Sequence, residues 1–109
     1  PYITEVKDVV SDTVNTVLTK GGIVQITGSR LKFDAKDETQ GIFFVPERGT
    51  AVRAAVIAEN KPARLTALIP QTLDAGIRYI EIRTKMLDNN KSLKTMKVGR
   101  FAKPLTVTA

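Results

Sequence analysis

Histidine, cysteine and tryptophan are all missing from this chain of 109 residues. Without histidine there can be no Ser-His-Asp or Cys-His nucleophile arrangement and no imidazole metal ligand. Without cysteine there is no disulfide and no thiolate site, so a domain of this size must hold together by packing, and a reducing compartment is favoured. Long apolar runs are missing as well: Ala54–Ala58 and Ile42–Val45 fall far short of the ~20 residues that a bilayer-spanning helix needs. An enzyme built from these residues would have to move protons with carboxylates, lysine or a tyrosine such as Tyr79, and the expectation is a non-enzymatic protein.

Binding motifs for small ligands are also weak. Gly22 and Gly28, followed by Ser29, lack both the spacing and the lysine of a phosphate-cradling loop. Asp34, Asp37 and Glu38 enclose Lys36 and match no calcium-loop spacing, so the reading is a solvated loop. Asn90-Lys91-Ser92 fits the glycosylation sequon, a pattern too short to carry weight alone. No cofactor, no metal, no small-molecule substrate and no membrane contact are expected.

What is present is an ordinary globular composition, 42% apolar and 26% charged, in a length that suits one domain with one core. The formal net charge of +6 is unevenly spread. Residues 1–60 hold seven basic and eight acidic side chains, whereas residues 61–109 hold ten basic and three acidic ones. Such asymmetry suits a surface that meets phosphate or anionic lipid, and it also arises merely for solubility. The chain opens at Pro1 without an initiator methionine, which suggests a processed protein or an excised piece of a longer one, and its length suits a single domain over 1–109.

Alternation of apolar and polar residues dominates over helical spacing. Val24 and Ile26 share one parity, Gly28-Ser29 interrupts, and Leu31 and Phe33 resume it, which predicts a strand with a kink or bulge over 22–33. Ile42–Val45 reads as a strand stopped by Pro46, and Glu47-Arg48-Gly49 as a turn. Residues 51–58 and 64–69 flank Glu59-Asn60-Lys61-Pro62 and could pair as a hairpin. After a connection over 70–76, residues 77–84 form the cleanest half-buried strand, with Ile80 and Ile82 opposite in sense to Glu81 and Arg83. Asp88–Lys91 is a turn cluster, and 98–107 a final strand with Pro104 on an edge or at a bulge. Asp8–Lys20 reads as irregular, with one helical turn, because Val10, Val14 and Val17 fit helical spacing while valine and threonine disfavour a helix. About seven short strands point to an all-β, two-sheet antiparallel sandwich, with a barrel as the alternative.

Lys91, Lys94, Lys97, Arg100 and Lys103 recur at intervals of three, but on a strand of period two Lys94 and Arg100 face away from the other three, so they do not make one stripe. Tyr79 is the one aromatic on a polar strand face, while Phe33, Phe43, Phe44 and Phe101 read as core. If the domain meets nucleic acid, Lys61, Arg64, Arg83, Lys85, Lys94, Lys97 and Arg100 would carry it by attraction to phosphate, without base readout.

The stretch Leu18–Leu31, with its glycine pair, strand and Gly28-Ser29, resembles immunoglobulin-like domains of the plexin and transcription-factor type. With Gly41–Val45, Ala63–Pro70, Gly76, Ile80–Thr84 and Lys103–Val107, the chain more closely resembles the C-terminal immunoglobulin-like domain of unknown function that follows an HU-type, histone-like DNA-binding domain in certain bacterial proteins. Lys20 stands where a proline is usual before the glycine pair. Arg78 stands where a tyrosine is usual, with Tyr79 next to it as the candidate to compensate. The resemblance implies an immunoglobulin-like β-sandwich and an accessory, non-enzymatic module of a bacterial, cytoplasmic, nucleoid-associated protein. Its partners would be DNA through the parent protein, a second copy of itself, or another protein. The competing reading is a periplasmic or cell-surface immunoglobulin-like module that binds a protein or glycan.

Overall fold

Valine, isoleucine, threonine and phenylalanine at alternate positions favour pleated strands over helices, and among the described residues of the computed structural model, 1–86 and 91–108, there is no helix. The elements are β1 (Tyr2–Asp8), β2 (Thr13–Val14), β3 (Val17–Leu18), β4 (Ile23–Ser29), β5 (Gly41–Pro46), β6 (Val52–Arg53), β7 (Ile57–Asn60), β8 (Arg64–Leu68), β9 (Gly76–Met86), β10 (Ser92–Arg100) and β11 (Leu105–Val107). One sheet runs β2-β1-β4-β8-β7. The other runs β3-β11-β9-β5-β6, with β10 also paired to β9. Neighbours are antiparallel except β3 and β11, which run parallel.

The two sheets face each other across a core to which each gives one parity of its strands. Val24 and Ile26 of β4 and Ile80 and Ile82 of β9 are fully buried, as their alternation predicts. Leu65 and Ala67 of β8 and Ile42 and Phe44 of β5 complete the centre of this cluster. Each large side chain buried in this way stabilises the fold by about 1.5–3 kcal/mol.

Where the chain departs from simple alternation, a local bond explains it. β4 ends at Ser29, and Arg30 turns the chain with a φ of 55°. Leu31 and Phe33 are therefore buried without lying in a strand. Asn60 substitutes for a ladder partner there: its Nδ2 donates to the Phe33 carbonyl at 2.7 Å, and the Phe33 amide donates to its Oδ1 at 3.2 Å. Gly28 sits so close to β1 that a Cβ would strike the Tyr2 carbonyl, beside the bulge between Ile3 and Glu5.

The expected helical turn within Asp8–Lys20 does not form. Asp12 and Asn15, at φ 54° and 62°, bend the chain into the left-handed region that short polar side chains tolerate. β2 then joins β1 in one sheet and β3 joins β11 in the other. The buried Asp8 carboxylate fixes this crossing, accepting bonds from Ser11 Oγ at 2.6 Å, Thr19 Oγ1 at 2.6 Å and the Thr19 amide at 3.1 Å. Residues 51–58 are likewise not one strand, because β6 pairs with β5 while β7 crosses to β8. The expected hairpin is the β7–β8 pair, with Asn60 opposite Leu65. The final strand starts earlier, at Ser92, and is broken over 101–104, so β10 and β11 lie in tandem along one edge of β9. The expected turn at Asp88-Asn89-Asn90 and the sequon asparagine lie outside the described residues.

Truncating Ile82 to alanine should cost roughly 2–5 kcal/mol in urea unfolding, because a site walled by two sheets cannot collapse onto the gap. Asp8 generates a second expectation. Burial pushes its carboxyl up, but the bonds from Ser11 and Thr19 outweigh that and hold it below its ordinary 3.8. A lowered folded value means that its contribution is complete above pH 3.8 and is lost as pH falls through the folded value. Asp8→Asn should therefore lower stability at neutral pH and flatten the acid limb of a stability-versus-pH curve.

Candidate nucleic-acid interface

Because Arg78, Ile80, Ile82 and Thr84 of β9 are buried toward the facing sheet, Ile77, Tyr79, Glu81, Arg83 and Lys85 are turned to the outer face. On one side β5 places Phe43 opposite Glu81 and Val45 opposite Tyr79. On the other, β10 places Arg100 opposite Glu81 and Val98 opposite Arg83. Phe43 is thus not part of the core between the sheets, contrary to expectation. It is buried on the outer side, with the Arg83 guanidinium carbon 4.0 Å from its ring centroid. β6 sets Arg53 opposite Phe43, and that guanidinium donates to the carbonyls of Gln40, Ala35 and Asp37, tying down the 34–40 loop.

Glu81 is the centre of this face. Its Oε1 accepts from Arg83 Nε at 2.8 Å, and its Oε2 accepts from Arg100 Nε at 3.0 Å and Nη2 at 2.9 Å. The Arg100 guanidinium carbon lies 5.3 Å from the Tyr79 ring centroid. Burial pushes the Glu81 carboxyl up, yet the two guanidiniums more than compensate, and it stays below the usual carboxylate range. One carboxylate thus orients two cations, each beside an aromatic ring, and the group keeps a net positive charge.

The seven basic residues expected to meet phosphate do not share one surface. Arg83, Lys85, Lys94, Lys97 and Arg100 lie on the adjacent strands β9 and β10. Lys61 and Arg64 lie at the β7–β8 hairpin of the other sheet, where Arg64 alternates with the buried Leu65 and faces the opposite side of the sandwich. Both engage Glu59, Arg64 by a two-bond fork at 2.7 and 2.9 Å and Lys61 at 3.3 Å. The fork from Arg64, with a bond from Thr66, draws the Glu59 carboxyl down to about 2. Lys97 pairs opposite Thr84, on the parity that faces the core, and with Arg30 it borders a cavity of about 510 Å³ walled by Pro1, Thr84, Met86, Leu93 and Val98. Lys94 is exposed.

Other residues take roles that the sequence did not disclose. Tyr79 does not compensate for the missing tyrosine, since it faces outward; Arg78 itself fills the inner position, buried, with Nη1 donating to the Phe44 carbonyl at 3.1 Å. In the acidic loop, Asp37 accepts from Thr39 and Gln40, and its carboxyl falls to about 2. Among the described residues no three acidic side chains are grouped to hold a metal ion. The register of β5 against β9 could have exposed Phe43, but it depends on a pairing that sequence alone does not give.

A family model described as a domain of unknown function (DUF4469) with an IG-like fold matches residues 2–99. The chain belongs to this family. Its paired sheets are accordingly an immunoglobulin-like sandwich, as the strand pattern and the resemblance implied. Among solved structures, one described as a "putative bacterial DNA binding protein" from Bacteroides vulgatus ATCC 8482 superposes with a TM-score of 0.88 at 21% identity, over 100% of this chain and 47% of that one. The likeness at that identity is one of fold, and the present chain spans about half the length of that structure. A search of curated proteins finds no match.

Glu81→Gln should destabilise the DUF4469 domain by on the order of 1–3 kcal/mol, since it leaves two guanidiniums facing a neutral acceptor. The loss should be largest at neutral pH and vanish in acid, where the wild-type carboxylate is itself protonated, a comparison that urea unfolding at two pH values makes directly.

Proposed function

We propose that this domain is a non-enzymatic accessory module of a bacterial HU-like DNA-binding protein, working in the cytoplasm and adding sequence-independent contacts to the phosphate backbone. The observation that carries this reading is the gathering of Arg83, Lys85, Lys94, Lys97 and Arg100 onto two adjacent strands, with Glu81 as the one acidic residue on those strands among the described residues. The description of the similar Bacteroides structure as a "putative bacterial DNA binding protein" supports the same direction. The carboxyls with shifted values, Asp8, Asp37, Glu59 and Glu81, are all displaced downward, so none is tuned as a proton donor near neutral pH.

Exposed apolar side chains favour a second reading, in which the module docks onto another protein or a second copy of itself. Tyr2, Val9, Val10 and Val14 all lie open around β1 and β2.

Titrating duplex DNA with the 109-residue chain at several salt concentrations, followed by fluorescence anisotropy, tests the first reading. Affinity should fall linearly on a log-log plot of salt. Replacing Lys85, Lys94 and Lys97 together by glutamate should weaken binding by at least about tenfold and flatten the slope by about 0.9 for each phosphate no longer neutralised. Lys61→Ala, on the opposite face, should change it little. A flat titration, or a slope indifferent to the triple substitution, would leave the protein-docking reading the better one.

A further inference from the structure

The outer face of β5, β9 and β10 has a feature that phosphate attraction alone does not use. Free surface arginines sample many rotamers, yet Arg83 and Arg100 are each fixed twice, once by Glu81 and once by a ring. Arg83 lies against Phe43, which is almost wholly covered, while its own side chain remains 32% exposed. Arg100, 48% exposed, lies beside the half-buried Tyr79. Val98, opposite Arg83, and Ile77, two residues before Tyr79, add exposed apolar surface to the same face. A guanidinium is a flat, delocalised plane, and such planes, like tyrosine rings, take the faces of unpaired bases. In a duplex those base faces are stacked on each other and out of reach.

We infer that this face binds single-stranded nucleic acid, with unpaired bases stacking on Tyr79 and on the Arg83 and Arg100 guanidiniums while Lys85 and its neighbours hold the strand's phosphates. The inference rests on the phosphate reading above and deepens it, by assigning the unpaired strand as the preferred form of the ligand. Two bases could be accommodated side by side, one over the Phe43–Arg83 pair and one over Tyr79–Arg100, with the Glu81 carboxylate keeping both cations in place. Base identity would matter little, since every base offers a face.

The test compares a labelled oligothymidine, an abasic strand of equal length and the corresponding duplex, each bound to the 109-residue chain across a range of salt. Oligothymidine should bind about tenfold more tightly than the abasic strand, and the gap should persist at salt that suppresses duplex binding. Tyr79→Ala should remove most of that gap, with Tyr79→Phe retaining it. Arg83→Lys and Arg100→Lys keep the positive charge but lose the plane, so they should lower oligothymidine affinity several-fold and abasic-strand affinity much less, narrowing the gap between the two. Thermal unfolding of each variant checks that the sandwich is intact. Equal affinity for the base-bearing and abasic strands, or the same gap in folded Tyr79→Ala, would overturn the stacking inference while salt-dependent duplex binding left the phosphate reading standing. Absence of binding to all three ligands would overturn both.

Discussion

Successive side chains of a strand point to opposite faces, and the eleven residues of β9 are where this constraint does most. Its even positions, Arg78, Ile80, Ile82 and Thr84, are all buried toward the facing sheet, and its odd positions build the outer surface. β5, β10 and β11 take their register from it. A one-residue slip would send Glu81 and Arg83 into the core and Ile80 and Ile82 into water, so the packing and the charged face are locked to the same alignment.

The core accepts polar groups only where their bonds are met. Asp8 is surrounded by hydroxyls and an amide, Thr84 Oγ1 donates to the Lys32 carbonyl, and Arg78 reaches the Phe44 carbonyl. Among the described residues no buried side-chain nitrogen or oxygen lacks a partner. On the surface the ion pairs are segregated: Glu59 serves the five-stranded sheet and Glu81 the six-stranded one. Exposed pairs such as Lys61 with Glu59 contribute little to stability. Glu81, shielded from water and held by guanidiniums from two strands, matters more because it also decides where those two cations stand.

Much of the architecture was legible in the sequence. Ile80 and Ile82 alternating with Glu81 and Arg83, and Val24 with Ile26, announced two buried sheet faces, and Pro62 announced the bend between β7 and β8. What was hidden has specific causes. β1 was obscured because its bulge puts Ile3 and Val6 three apart and its inward position at 8 is a carboxylate. The apolar run at 51–58 gave no hint that the chain changes sheets after Ala54, since both halves are equally hydrophobic. Of the candidate surface, the basic residues were visible as charge, but their division between opposite faces required the topology. Phe43 was misread because a phenylalanine covered by an arginine and one covered by other apolar groups look identical in a linear string.

The parallel pairing of β3 with β11 joins a segment near the start of the chain to one near its end, through Thr106 amide to Thr16 carbonyl at 3.0 Å and Thr108 amide to Leu18 carbonyl at 3.1 Å. Strands that run side by side in the same direction, tugged from opposite termini, slide lengthwise past each other. Their bonds then share the load together, where an antiparallel hairpin pulled at its open end would unzip one bond after another. Tension reaching this seam from the two termini therefore loads its hydrogen bonds in parallel.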